Sequence, residues 1–293
     1  AAAIGLNVAE STARAHITAG RTVRADNDGD NAGTGTLALR ATNNMDATTN
    51  ADGKAKTSSG GDSVGVAVAI NVADMTNEAS IGNGSTISAD GLTLRATMKN
   101  VGSDDPDTHR FGAKSLSGAS GGDVGVAGSV AINVANTDTV ARVGTGSNVT
   151  LSGGSVGDVD MAATSRTDNT VSAKSKAQGG STGVGAAVGV NIALNDTIAE
   201  VQNGTTVAGS ANDFDIKATN TSNVSTTAEA GAAGSTAVGG GIAITVSEND
   251  TVARMGTGGG GTHARPQHGC SCSPHHHPYR SIKCDFLLGF PSP

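Results

Sequence analysis

An internal repeat constrains the fold of this chain more than any other feature of its sequence. Five segments align without gaps around one anchor position, which holds Asn7, Asn71, Asn133, Asn191 and Thr245. Successive anchors are 64, 62, 58 and 54 residues apart, and in every segment an alanine follows the anchor by eight residues and a glycine by thirteen. A fixed segment in each unit with variable length elsewhere is typical of stacked repeats, in which insertions fall in loops on one side.

The segment before and after each anchor alternates between branched aliphatic and small residues. In the second unit, Val64, Val66, Val68, Ile70 and Val72 alternate with Gly, Ala and Asn. This period of two indicates a β-strand. We expect the branched residues to form a buried stripe between neighbouring units, and the small-residue face to let another layer approach closely. No segment has a sustained helical period, and a unit of this length predicts two or three coils of about 20 to 30 residues each.

The composition favours a thin core. Trp is absent and aromatic residues make up 2% of the chain, so the core must be built from Val, Ile, Leu and Ala. The formal net charge is −7, which disfavours nucleic acid as a partner because an acidic surface repels phosphate groups. No run of about 20 apolar residues occurs, so we expect no membrane insertion.

Among the repeat positions that carry a polar side chain in every unit are the anchor and the position nine residues after it. The stacked asparagines at the anchor predict a side-chain hydrogen-bond ladder with a structural role. Nine residues after the anchor stand His16, Ser80, Arg142, Glu200 and Arg254 in the five units. A position that accepts both signs of charge is most simply explained as facing solvent.

The repeat resembles a family of large bacterial surface proteins. The runs G-V-A-V-A-I-N-V and G-L-T-L-R-A-T in the second unit look like the repeats of giant adhesins and of filamentous-haemagglutinin-like or autotransporter passenger proteins. The resemblance covers about residues 1–258 and carries no site motif. It implies an all-β fold, a right-handed β-helix or β-solenoid of about four and a half repeats, displayed at the cell surface or secreted. It also implies a role in adhesion or spacing, with a host-surface or glycan ligand as a possible partner.

The composition changes near residue 261, which divides the chain into a repeat array over 1–261 and an irregular tail over 262–293. The tail holds all three cysteines, five of the six prolines and five of the seven histidines. Tail sequence of this kind is either disordered or unrelated to the array, and the array itself opens in mid-pattern, as a fragment of a longer protein does. Cys and His are the usual ligands of zinc, although their spacing here matches no standard zinc finger. The candidate zinc ligands are His268, Cys270, Cys272, His275, His276, His277 and Cys284.

Three further motifs invite a chemical interpretation. Asp26, Asp28 and Asp30 alternate with Asn and Gly, as in the opening of a calcium loop, but the closing bidentate Glu of an EF-hand is missing. His109 follows a run of aspartates in an insertion that we interpret as an exposed loop, with a binding loop as the alternative. The pattern G-x-S-x-G of serine hydrolases occurs four times, once around Ser63, and we interpret it as a repeat joint rather than a nucleophile.

These observations favour a structural or adhesive segment without catalysis of its own. Two alternatives remain open: a promiscuous hydrolase, with zinc in the tail as its candidate metal, and a calcium-stabilised binding module. The open sheet edges at both ends of a repeat array also predict self-association.

Overall fold

A computed structural model describes residues 1–25, 35–57, 60–99, 107–152, 157–209 and 211–257, together with the backbone of two short strands near the C-terminus. These residues form β-strands joined by turns, and none of them is helical. The strands are β1 (Ala2–Ile17), β2 (Thr22–Ala25), β3 (Thr36–Asn43), β4 (Asp46–Lys56), β5 (Ser63–Ile81), β6 (Thr86–Ala89), β7 (Gly91–Met98), β8 (His109–Val143), β9 (Asn148–Leu151), β10 (Asp158–Val201), β11 (Thr206–Gly209), β12 (Asp213–Ala233), β13 (Thr236–Met255), β14 (Ser271–Pro274) and β15 (Ser281–Lys283).

Each strand pairs in parallel with the equivalent strand of the next sequence unit. Asn7 lies beside Asn71, Asn71 beside Asn133, and Asn133 beside Asn191, which in turn lies beside Thr245. One unit therefore makes one circuit of a solenoid-like fold, and the prediction of two or three coils per unit is wrong. The reason is strand length: strands of about 20 residues make a wide, flat circuit that uses a whole unit.

Each circuit has two long faces. We call the strands at 2–17, 63–81, 124–143, 182–201 and 236–255 the front face. The opposite side, the back face, consists of β3 with β4, β7 with the first part of β8, the first part of β10, and β12. The short strands β2, β6, β9 and β11 form a separate parallel sheet that connects the two faces at one end.

The interior changes in width along the circuit. At the end that carries the short strands, large aliphatic side chains fill it, among them Ile81, Ile87, Leu94 and Met161. At the other end the two faces approach so closely that a methyl group on Gly65 would overlap the carbonyl oxygen of Gly118. The inward residues there are mostly Gly, Ala, Ser and Asn, and the buried Val171 of the back face lies opposite Gly189.

The front face is therefore oriented with its small residues inward. Ala67, Ala69 and Asn71 are fully buried, whereas Val64 and Val72 remain 49% and 37% exposed. The expectation that the small-residue face allows close approach is confirmed, and the expectation of a buried stripe of branched residues along the front face is wrong. Space decides the orientation, because branched side chains do not fit between faces that nearly touch.

Two short stretches of the tail extend the sheet. The strand β14 pairs in parallel with β12, and β15 pairs with β13. The other residues of 262–293 lie outside the described part of the chain, so the division into array and tail stays a prediction.

Candidate interaction surface

The most prominent surface feature is an apolar area on the outside of the front face, which we call the apolar face. It consists of five columns of side chains that run across the five stacked strands, at the outward positions from seven residues before the anchor to one after it. Ile4, Leu6 and Ile242 in its outer strands are 80%, 67% and 58% exposed. In order along the strands, the columns are Val64, Val126, Val184 and Val238; Ala2, Val66, Gly128, Ala186 and Gly240; Ile4, Val68, Val130, Val188 and Ile242; Leu6, Ile70, Ile132, Val190 and Ile244; and Val8, Val72, Val134, Ile192 and Val246.

The size of the apolar face is unusual for the surface of a soluble protein. Parallel strands lie about 4.8 Å apart and residues on one side of a strand about 6.7 Å apart, so five strands and five columns cover about 24 by 33 Å, or about 800 Å². The largest apolar patch of a typical monomer is about 300–600 Å². No side chain within the five columns carries a charge or a hydrogen-bonding group.

An acidic band borders the apolar face on the side that follows the anchor in sequence. Burial raises the pKa of Asp138, and the nearby Asp196 and Asp74 raise it further. Burial likewise raises the pKa of Asp196, with contributions from Asp250 and Glu248. Repeats stacked in register bring like charges together, and these carboxylates repel one another.

Nowhere in the part of the chain that the structure describes do three or more His, Cys, Asp or Glu residues group closely enough to hold a metal ion.

The interior behind the apolar face contains the asparagine ladder that the sequence predicts. Asn7 donates to the Oδ1 of Asn71 at 2.8 Å, Asn71 donates to Asn133 at 2.7 Å, and Asn133 donates to Asn191 at 2.9 Å. Asn71, Asn133 and Asn191 have no exposed surface. The chain of bonds continues to the backbone, because Asn191 donates to the carbonyl oxygen of Ser225. The ladder fixes the register of the strands that display the apolar face.

The position nine residues after the anchor faces solvent only in some units, because His16 and Arg254 are exposed whereas Ser80 and Glu200 are buried. Glu200 is 4% exposed, and it lies between Arg254, whose Nε is 2.7 Å from Oε2, and Arg142, whose Nε is 3.3 Å from Oε1. In the last three units the charges at this position alternate in sign, and Glu200 compensates the arginines of both neighbouring units. Sequence reasoning about single units missed this because the compensation lies between units.

His109 is buried rather than exposed in a loop. It begins β8 with no exposed surface, and its Nδ1 accepts a hydrogen bond from the backbone amide of Met45 at 3.0 Å. Its ring stacks on Phe111 with 6.1 Å between the centroids. Burial lowers the pKa of His109 from 6.5 to about 4, so the imidazole is neutral at pH 7. A neutral, enclosed imidazole is a core residue of the second circuit.

The back face has a shallow groove where one column lacks a side chain. Gly112 lies between Thr48 and Thr170 in the register of three adjacent strands. Lys114 and Ser172 also line the groove. Hydroxyl and ammonium groups around an open depression can hydrogen-bond a polar ligand, although nothing in the depression is deep enough to enclose one.

The predicted calcium and zinc sites lie outside the described residues. This holds for the aspartates at 26, 28 and 30 and for the candidate zinc ligands at 268, 270, 275–277 and 284, and of Cys272 only the backbone is described. Where the G-x-S-x-G pattern is described, Ser63, Ser120 and Ser181 lie in or between strands, with no helix after them. A nucleophile elbow requires such a helix, so these serines are repeat joints.

No protein-family model, no curated protein and no solved structure matches this chain significantly. In the described part of the chain, no helix has the length and hydropathy that spanning a membrane requires.

Proposed function

We propose that this chain is a structural or adhesive repeat segment of a secreted or cell-surface bacterial protein, and that it has no catalytic activity of its own. The observation that carries the proposal is the in-register stacking of equivalent residues from five successive units. Such a fold grows by adding units, and each unit contacts only its neighbours, so its length is set by the number of repeats. The resemblance to adhesin and autotransporter passenger repeats supports the bacterial surface as the location.

The same proposal includes the finer details of the fold. We take the stacked circuits to be a right-handed β-helix of about four and a half repeats, because parallel strands joined by crossover connections are right-handed in nearly all proteins. The buried asparagine ladder supports the direct stacking of the circuits, since it requires each circuit to lie on the one before it.

A deletion of one whole unit tests the structural role. Removal of residues 72–133 joins Asn71 to Val134, so that the anchor of the second unit takes the place of the third. We expect a folded β-protein that is shorter by one strand spacing of about 4.8 Å in small-angle X-ray scattering. Failure of this variant to fold would show that the units are not interchangeable, and the spacer role would be wrong.

A matched control distinguishes register from mere length. Removal of residues 72–132 deletes one residue fewer and leaves two anchors in succession. A one-residue slip moves every later side chain of that strand to the opposite face. We expect this control to lose its cooperative unfolding transition and its strand signal in circular dichroism, because the outward-facing Asp138 and Arg142, which follow the junction, would be turned into the interior.

The side chains around the groove on the back face favour a second candidate function, the binding of a glycan. Thr48, Asn50, Thr170 and Ser172 supply hydroxyl and amide groups, and Lys114 supplies a cation. We expect the chain to bind to a glycan array or to host-cell monolayers, and Lys114→Ala with Ser172→Ala to weaken that binding at least 10-fold. Lys54→Ala on the same face is the control, since the side chains of Lys54 and of its ion-pair partner Asp52 are both exposed to solvent. Equal binding by the variant and the control would exclude the groove.

A further inference from the structure

We propose that the apolar face pairs with the apolar face of a second copy of this chain, to form a symmetric dimer with two sheets packed face to face. This inference goes beyond the proposed function and does not depend on it. It also differs from association through the open ends, which would join β1 or the last strands rather than the broad side of the front face.

The area of the apolar face matches the requirement of a stable dimer. Specific interfaces bury about 800 Å² on each partner, which is the estimated size of the five-column surface. Interfaces of homodimers are also more apolar than the rest of the protein surface. An apolar face without a polar group meets both conditions. A carbohydrate or another polar ligand would require hydrogen-bonding groups that the face lacks.

The shape of the apolar face is self-complementary. The second column is the one with the smallest side chains, with Gly128 and Gly240 among its members, and it forms a shallow trough. The fourth column is the bulkiest and forms a ridge, with Ile132 and Ile244 in the same strands. The third column lies midway between trough and ridge.

A two-fold axis along the third column, parallel to the stacking direction, brings these features together. It places the strands of the two copies antiparallel across the interface and lays each ridge in the partner's trough. Ile132 then faces Gly128 of the second copy, Ile244 faces Gly240, and Val130 lies on the axis itself. The same operation overlays all five apolar columns, so no apolar column remains exposed.

The charges agree with this arrangement. The acidic band follows the fifth column, so the two-fold axis moves the bands of the two copies to opposite rims of the interface, where they remain in water. A dimer shifted further along the strands would bring Asp138 or Asp196 over the partner's valines and bury a charge without a partner, which is costly. The axis along the third column is the one that buries the whole apolar face and no carboxylate.

Two outward-facing substitutions in the full chain test this geometry by sedimentation velocity over a range of concentrations. A methyl group built on Gly128 meets no atom within 4 Å, so there is open space for a side chain and Gly128→Leu fills the trough. Ile132→Lys places a charge on the ridge. We expect the wild-type chain to be dimeric, and each variant to raise the dissociation constant at least 100-fold. Ser172→Lys on the back face is the control and should remain dimeric.

Gly128→Leu also separates specific pairing from general stickiness, because it makes the surface more apolar while it blocks the trough. Stronger association of this variant, a wild-type chain that stays monomeric at high concentration, or a dimer that neither variant weakens would each overturn the proposal. The last result would indicate association through the open ends. None of these outcomes changes the result of the unit deletion, so the proposed function is tested separately.

A cross-linking experiment places the axis. In a chain whose Cys270, Cys272 and Cys284 are replaced by Ser, we expect Val130→Cys to be cross-linked between copies by a short bismaleimide, and Ser172→Cys to remain uncross-linked. Equal cross-linking of the two variants would contradict the two-fold axis.

Discussion

The substitution Asn133→Ala tests the central element of the fold, the buried asparagine ladder. Asn133 has no exposed surface, accepts a hydrogen bond from Asn71 at 2.7 Å, and donates to Asn191 at 2.9 Å and more weakly to Asn169 at 3.3 Å. In the ladder itself, its removal leaves the Nδ2 of Asn71 without its partner and takes a donor from the Oδ1 of Asn191. An unsatisfied buried polar group costs about 1–3 kcal/mol, so we expect the free energy of unfolding to fall by about 2–6 kcal/mol.

The same ladder contains its own control. Asn7 is only partly buried and makes a single ladder bond, to Asn71 at 2.8 Å. We expect Asn7→Ala to lower the free energy of unfolding by about 1 kcal/mol. The assay is urea unfolding followed by circular dichroism, with the midpoint and the slope compared between variants. A loss for Asn133→Ala no larger than that for Asn7→Ala would refute the argument that buried ladder bonds hold the circuits in register.

Three further predictions concern the interior and the charges between units. His109 has a pKa of about 4 in the folded chain, below its unfolded value of 6.5, so the unfolded chain binds more protons between these two pH values. Urea unfolding should therefore show about 3 kcal/mol of stability lost as the pH falls from 6.5 to 4. The variant His109→Gln should lack this pH dependence. Gly65→Ala should destabilise the chain by about 3 kcal/mol or more in thermal unfolding, because its methyl group would overlap backbone of the back face, whereas Gly128→Ala, with open space around it, should change stability little. Glu200→Gln leaves the half-exposed Arg142 and Arg254 without their shared carboxylate and should lower the free energy of unfolding by about 1–2 kcal/mol at low salt. Glu78→Gln, at a more exposed ion pair, should have a smaller effect, and equal effects would show that the burial of Glu200 contributes nothing.

The sequence predicts the columns of the apolar face but not that they face outward. The columns themselves follow from the alternation, since every second residue of a strand lies on the same side. The sequence also contains a signal for their orientation, because Gly65, Gly125 and Gly185 recur on the small-residue face of successive units. Glycine within a strand often marks close approach of another backbone, and this correctly predicts another layer against the small-residue face. The error lay in expecting the branched face to be buried as well, between neighbouring units.

The sequence by itself determined the strands, their register and the asparagine ladder. Spacing was sufficient for this, because a stacked parallel sheet places the same residue of each unit beside its equivalents, as Asn71 lies beside Asn133. Only the tertiary structure decided which side of the front face is inside, that one unit fills one circuit, and that His109 is in the core. An alternating strand has two faces, and nothing local to it says how far away the opposite face lies. At the narrow end that distance admits mostly small side chains, and this leaves Val, Ile and Leu on the surface.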